Sequence, residues 1–119
     1  MSIQTDALRE LTRLLNAREP VDVARFFTED FRLEDPGAGV LRSGHAGARQ
    51  MIDNVLALGP DARLDILDMF EQGDRVAVRW QVSTGAPRSG PAMIAIYQFA
   101  GARIAQDWGI SVQSPWAAD

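Results

Sequence analysis

The spacing of the apolar residues changes from helical to strand-like near Gly59-Pro60, and this change constrains the fold most. Before it, the leucines of residues 4–17 recur at the spacing of one helix face. After it, residues 75–84 alternate between apolar and polar side chains, as in a strand with one buried face. Helices followed by strands indicate an α+β fold, since α/β folds alternate the two kinds of element.

Residues that break helices and strands divide the chain into eight elements and their turns. The expected helices lie at 4–17, at about 20–28 and from near Gly44 to Gly59-Pro60, and the expected strands lie at 31–35, 63–71, 75–84, 92–99 and 103–113. Residues 26, 27 and 70, all Phe, are assigned to the core. We expect one domain over residues 1–119, in which three helices cover the open face of a curved antiparallel sheet. Such a cone would hold an apolar pocket at its wide end.

Missing residue types exclude several kinds of chemistry. The chain has no cysteine, no lysine and one histidine, His45. It therefore offers no thiolate, no disulfide, no lysine Schiff base and no multi-histidine metal site. It also lacks a G-x-G-x-x-G or Walker pattern, so we expect neither a cofactor nor a metal. The groups left for proton transfer are 16 Asp and Glu residues, His45 and the single tyrosine, Tyr97.

Charge and hydropathy bear on partners and location. The net charge is −4 and the arginines are scattered, which argues against nucleic-acid binding. The apolar runs are far shorter than the roughly 20 residues of a membrane span. The polar, amphipathic beginning of the sequence lacks the pattern of a signal peptide. We therefore expect a cytoplasmic protein that does not enter membranes.

Four segments carry recognisable motifs: Leu33-Glu34-Asp35-Pro36, Arg42-Ser43-Gly44, residues 73–80 and residues 99–108. Together they resemble the NTF2-like superfamily, in particular its SnoaL-like polyketide cyclase and ketosteroid isomerase branches. The resemblance extends over about residues 5–113. It implies the cone fold, cofactor-free acid–base chemistry in the cone, and a homodimer formed through the outer face of the sheet. Trp108, which alternation places on that outer face, is then an expected interface residue.

Asp35 falls where ketosteroid isomerases have their catalytic base, and the resemblance implies that it points into the cone. A carboxylate at the mouth of an apolar pocket is partly desolvated, which raises its pKa toward that of a useful base. The alternative is structural, because an Asp before Pro36 can accept a hydrogen bond within a turn.

Asp107 is a second candidate, because strand interiors disfavour Asp. Alternation places it on one face with Gly109 and Ser111, and the resemblance implies that this face lines the cavity. SnoaL-like cyclases have a general acid or base on this last strand. The alternative is a surface acid or one paired with an arginine, such as Arg79 or Arg103.

The chain departs from its relatives at the positions that bind the substrate oxygen. Ketosteroid isomerases place two hydrogen-bond donors there, and the matching positions in this chain are Leu11 and Ala95. Tyr97 shares a strand face with Ala95 and could supply one donor, or it could simply pack in the core. We expect Val78 and Trp80 to line the pocket. The Asp–Arg–Asp set of limonene epoxide hydrolase is absent, because Gln81 follows two residues after Arg79.

Three functions remain open from the sequence. The first is an enzyme for cyclisation, isomerisation or dehydration of a small or mid-sized natural product, which predicts a raised pKa for Asp35 or Asp107. The second is a ligand-binding or dimeric scaffold domain, which predicts exposed or salt-bridged carboxyls and a pocket filled by side chains. The third is tailoring of a peptide held in the cleft between two protomers.

Overall fold

A computed structural model describes residues 2–85 and 92–110 of the chain. In these ranges it contains three helices, α1 (Ile3–Ala17), α2 (Val23–Phe26) and α3 (Gly44–Leu56), and six strands, β1 (Phe27–Asp35), β2 (Gly39–Ser43), β3 (Ala62–Gln72), β4 (Arg75–Thr84), β5 (Ala92–Ala100) and β6 (Arg103–Ile110). None of these helices has the length and apolar character needed to cross a membrane.

Helix α1 has clear signals at both ends. Ser2 and Thr5 form a capping box, in which each side chain accepts a hydrogen bond from the backbone N–H of the other. Arg18 closes the helix in the left-handed conformation, with φ of 58°. The buried side chains of α1 are Leu8, Leu11, Thr12, Leu14 and Leu15. The helix predicted at 4–17 is confirmed.

The helix predicted at 20–28 is only one turn long. Asp22 caps it by accepting from the N–H of Ala24, and strand β1 already begins at Phe27. The aromatic residues explain the early strand, because Phe27 and Phe31 pack edge to face at 4.8 Å within the core. His45 of α3 holds the start of this strand, since its Nε2 donates to the carbonyl of Phe27 at 2.9 Å.

The sheet has six strands in the order β2-β1-β6-β5-β4-β3. Only β3 to β6 form the antiparallel meander that the sequence predicted. Strand β1 joins β6 in parallel, and the unpredicted β2 pairs with β1 as an edge hairpin. The exposed Val40 and Leu41 of β2 gave no alternation from which to predict a strand. The α+β class is confirmed, with an unclosed, curved sheet that packs one face against the helices.

Two β-bulges decide which side chains face the helices. The first falls at residue 67, between the pairs Ile66↔Trp80 and Asp68↔Arg79. Plain alternation from Ile66 would turn Phe70 inward, but the bulge reverses the phase of the strand. Phe70 therefore lies on the outer face with 70% of its surface exposed, and its assignment to the core was wrong.

The second bulge leaves Ala105 of β6 unpaired, between the pairs Gln98↔Gln106 and Phe99↔Ile104. Ile104 and Asp107 are three residues apart, so regular alternation would place them on opposite faces. With one extra residue between them, both side chains are buried on the inner face.

An apolar row crosses the outer face of the sheet. In register it runs from Phe70 through Ala77 and Ile96 to Trp108, with Ile94 beside it. Phe70, Ile94 and Ile96 are exposed, and the Arg75 guanidinium lies over the Trp108 ring at 5.2 Å. Trp108 thus lies on the predicted face. We call this row the outer apolar row.

Candidate functional site

Asp107 is the one acidic residue buried on the inner face within the described part of the chain. Only 4% of its surface is exposed. Its Oδ1 atom has no hydrogen-bond partner among the described residues, and no described arginine forms an ion pair with it. Arg79, one of the two partners considered from the sequence, instead bonds Asp68 on the outer face at 2.5 Å. A buried, unpaired carboxyl is uncommon, because burial without compensation is costly.

Burial raises the pKa of Asp107 from 3.8 to about 7. The cause is desolvation, since the neighbours in register, Leu33 and Tyr97, bring no positive charge. The enzyme hypothesis predicted a raised pKa for one of two carboxyls, and burial acts in this direction at Asp107. A carboxyl with this pKa exists in both protonation states near neutral pH, which is the condition for efficient proton transfer.

Tyr97 lies directly opposite Asp107 on the neighbouring strand β5. Its Oη accepts a hydrogen bond from Nε1 of Trp80 at 3.0 Å. Burial raises the pKa of Tyr97 well above its usual value of 10, and the nearby Asp107 charge raises it further. The phenol therefore keeps its proton. Because the indole N–H already bonds to the oxygen, the O–H proton is the group that Tyr97 can offer to a ligand.

The other predicted lining residues fall into three groups. Val78 and Ala95 are buried, paired in register, and lie on the inner face beside Tyr97 and Asp107. Leu11 is 8% exposed and belongs to the core that α1 covers. Ser111 lies outside the described residues.

Gly109, which alternation placed on the same face as Asp107, was not among the predicted site residues. It pairs with Ala95, and a Cβ atom at this position would lie 3.3 Å from Oδ1 of Asp107. In the sequence, Gly109 follows two residues after Asp107 within the same predicted strand. A glycine inside a strand indicates a place where another group approaches the backbone closely.

Asp35 has a different environment. Its Oδ2 atom accepts the backbone N–H groups of Gly37 and Ala38, each at 2.9 Å. This is the turn contact that was the alternative to catalysis, and the residue is only partly buried. The catalytic role predicted for Asp35 gains no support from these contacts.

The arrangement supplies one proton acceptor and one hydrogen-bond donor on a largely apolar face. Asp107 can take or give a proton, and Tyr97 can donate to an oxygen that gains negative charge. Within residues 2–85 and 92–110, no group of three or more His, Asp or Glu side chains is placed to hold a metal ion.

Comparison with known proteins gives a family and a fold. A family model described as a SnoaL-like domain matches residues 8–106. No curated protein sequence matches the chain significantly.

Three solved structures illustrate the fold. An NTF2-like protein of unknown function from Mesorhizobium loti is 18% identical with a TM-score of 0.74, covering 93% of this chain and 92% of its own. A proposed polyketide cyclase from Acidithiobacillus ferrooxidans is 23% identical with a TM-score of 0.70, covering 94% and 89%. IdmH, a proposed polyketide cyclase from Streptomyces antibioticus, is 20% identical with a TM-score of 0.70, covering 91% of each chain. At these identities the likeness shows the fold alone.

Proposed function

This chain belongs to the SnoaL-like domain family, and we propose that it is a cofactor-free enzyme in which Asp107 transfers a proton on a small or mid-sized natural product. The reaction is a cyclisation, an isomerisation or a related step that begins with loss of a proton next to a carbonyl group. The observation that carries the proposal is the buried, unpaired Asp107 with a pKa of about 7, placed opposite a tyrosine that keeps its proton.

Each residue has a defined role in such a reaction. Ionised Asp107 removes the proton from the carbon beside the carbonyl, and the electron pair moves onto the carbonyl oxygen. The hydroxyl of Tyr97 donates to that oxygen and stabilises its charge. Trp80 positions Tyr97 through the 3.0 Å hydrogen bond. The protonated Asp107 then returns the proton to another atom of the substrate, which completes the transfer.

The relatives support the choice of substrate class. Two of the similar structures are proposed polyketide cyclases, and another is a proposed SnoaL-like isomerase from Agrobacterium tumefaciens. All of these names refer to reactions of carbonyl-rich or isomerisable compounds, for which one acid–base residue and one oxygen-binding donor are suitable.

A ligand-binding or scaffold domain is less consistent with the site. That hypothesis predicts a pocket filled by side chains, which agrees with the burial of Val78 and Ala95, and it predicts carboxyls that are exposed or paired. Asp35, which accepts two turn hydrogen bonds, fits it, but Asp107 does not. An uncompensated buried carboxyl lowers stability, and a scaffold would gain nothing from keeping it.

The test is exchange of the protons next to the carbonyl groups of uncharged cyclic ketones and β-diketones in heavy water, followed by NMR. The wild-type protein should accelerate this exchange, and Asp107→Asn should reduce the acceleration by about 100-fold or more. Asp35→Asn serves as the matched carboxyl control and should retain the activity. Equal exchange rates for wild type and Asp107→Asn with every compound would contradict the proposal.

We also propose that a second copy of this chain covers the outer apolar row. The row is continuous across four strands, and charges of both signs flank it, including the Arg79–Asp68 pair and Arg75. A two-fold interface needs a surface that complements itself, and an apolar centre with mixed charges at its rim meets that requirement.

A further inference from the structure

A groove of about 530 Å³ separates helix α1 from strand β3 at one edge of the described sheet. Residues between positions 9 and 17 of α1 form one side of it, and residues 63–66 of β3 form the other. Neither Asp107 nor Tyr97 lines this groove, so it is separate from the proposed catalytic pair. It is shallow and open to solvent, which suits an extended ligand. We call it the edge groove.

The backbone of β3 presents one free residue to the edge groove. The side chain of Asn16 bonds both the N–H and the carbonyl of Leu64, so these two backbone groups point away from β4. Backbone groups alternate in direction along an antiparallel strand. Ile66 lies two residues on, before the bulge, and its N–H and carbonyl therefore point the same way. Neither group bonds another described residue, so an extended chain can pair with Ile66 as in strand addition at a sheet edge.

Positive charge is concentrated in the edge groove. Three of its lining residues are arginines, Arg9, Arg13 and Arg63, and its one lining acid is Asp65. The chain as a whole has a net charge of −4, so the excess of positive charge is a local property of this surface. Carboxylates suit such a surface, because a guanidinium group can donate two parallel hydrogen bonds to one carboxylate.

The arginines keep hydrogen-bond donors for a ligand. Arg9 forms no ion pair with a described residue, and Arg63 bonds Asp65 through Nε alone, at 3.2 Å, among the described contacts. Arg13 is engaged more fully, because it already bonds two glutamates. All of these pairs are exposed, and exposed ion pairs are weak, so a ligand carboxylate can compete for the guanidinium groups.

We propose that the edge groove binds an extended peptide segment rich in Asp and Glu, which adds to the edge of β3 at Ile66. The peptide main chain exchanges two hydrogen bonds with Ile66. Side chains alternate along an extended chain, so one peptide carboxylate faces Arg9 on α1, and its neighbour faces Arg63, which alternates with the buried Leu64. This inference goes beyond the proposed function and does not depend on it.

The test measures the binding of N-acetylated, fluorescently labelled hexaglutamate by fluorescence anisotropy. The peptide should bind saturably, and added salt should weaken the binding because it screens the charges. Labelled hexaglutamine has the same length without the charge and should bind at least about tenfold more weakly, because charge-assisted hydrogen bonds are lost. Hexaglutamate methylated on its backbone nitrogens should bind about fivefold more weakly or worse, because it cannot donate to the carbonyl of Ile66.

Arg63→Gln should weaken hexaglutamate binding about tenfold. The matched control is Arg32→Gln, because Arg32 is also an exposed strand arginine paired with an acid two residues along, Glu34, and it does not line the edge groove. This control should bind like the wild type. Arg9→Gln should repeat the effect from the helix side. Both groove variants change exposed side chains and should fold normally.

Absence of saturable binding to the wild type would overturn the proposal. Equal binding of hexaglutamine or of the methylated peptide, or unchanged binding to both groove variants, would overturn it as well. Free glutarate should bind far more weakly than hexaglutamate. Equal affinity for glutarate would also contradict the proposal, because the groove would then accept any carboxylate without strand addition.

Discussion

At the scale of single residues, the two candidate carboxyls differ in what surrounds their oxygens. Both were anomalous in the sequence, Asp35 for its position before Pro36 and Asp107 for its position inside a strand. The Asp35 carboxylate accepts hydrogen bonds from two backbone N–H groups. The Asp107 carboxyl is buried, and its Oδ1 has no hydrogen-bond partner among the described residues. The sequence identified both acids but could not separate them, because the partners of an oxygen depend on the folded backbone. Alternation placed Gly109 on the Asp107 face, but its closeness to Oδ1 also depends on the folded backbone.

The first prediction concerns the stability of Asp107→Asn. A carboxyl with a raised pKa holds its proton more tightly in the folded state than in the unfolded chain. The free energy of unfolding therefore falls as the pH rises from the unfolded pKa of about 3.9 to the folded value of about 7. Asparagine resembles the protonated carboxyl and never ionises.

Asp107→Asn should therefore become more stable than the wild type as the pH rises, with the difference growing by about 2–3 kcal/mol between about pH 5 and pH 8. Urea unfolding at both pH values measures this. Asp35→Asn should show no such stabilisation. A difference for Asp107→Asn that stays constant with pH would mean that the carboxyl is not desolvated in the folded protein.

The second prediction concerns Trp80→Phe, which keeps an aromatic ring and removes the indole N–H. The hydrogen bond from Trp80 lowers the pKa of Tyr97, so its loss should raise that pKa further. The exchange activity should fall about tenfold, because the Tyr97 hydroxyl is less well oriented and a weaker donor. Tyr97 is the only tyrosine, so its phenol carbon signal can be followed without ambiguity. If the exchange activity and the titration of Tyr97 were both unchanged, Trp80 would have no part in positioning Tyr97.

At the scale of the elements, the longer strands and helices were predictable within a few residues, and the bulges were not. Regular alternation gave the inner face of β4 correctly, since Val76, Val78, Trp80 and Val82 are all buried. It failed for Phe70, because the bulge at residue 67 depends on which residues of β4 lie opposite. The bulge also keeps Asp68 on the outer face, where Arg79 pairs with it. A pattern in one strand carries no information about such pairing.

The third prediction concerns the edge of the sheet. Strand β3 lies at one edge of the described sheet, where the side chain of Asn16 donates to the carbonyl of Leu64 and accepts from its N–H, each at 2.8 Å. Asn16→Ala should lower the free energy of unfolding by about 1–3 kcal/mol, because both backbone groups lose their partner. Asn54→Ala, on the exposed part of α3, is the matched control and should change stability by less than about 0.5 kcal/mol. Equal losses of stability in the two variants would show that Asn16 does not stabilise the edge of the sheet.

At the scale of the whole molecule, the unpredicted feature is the parallel pairing of β1 with β6. The sequence showed a meander at its end and a short strand near its start, and no local pattern indicates that the two ends meet. This pairing places Leu33 beside Asp107 and covers one side of the site. The fold class was predictable because it depends on the order of elements, whereas strand order depends on contacts between residues far apart in sequence.

The fourth prediction concerns association through the outer apolar row. We expect a homodimer in sedimentation experiments, and Ile96→Arg should dissociate it, because two copies would bring like charges into an apolar contact. The control is Leu58→Arg, which changes a similarly exposed apolar residue outside the sheet and should leave the dimer intact. A wild-type protein that is monomeric at all concentrations would refute the second-copy proposal.

The decisive measurement is the titration of Asp107 by NMR of its side-chain carboxyl carbon, with Asp107→Asn for assignment and Asp35→Asn for comparison. We expect a pKa near 7 for Asp107, and we expect Asp35→Asn to leave this value essentially unchanged. A pKa near the ordinary value of about 3.9 would mean that water or an unseen partner reaches the carboxyl. Asp107 would then not be the proton-transfer group that this proposal requires.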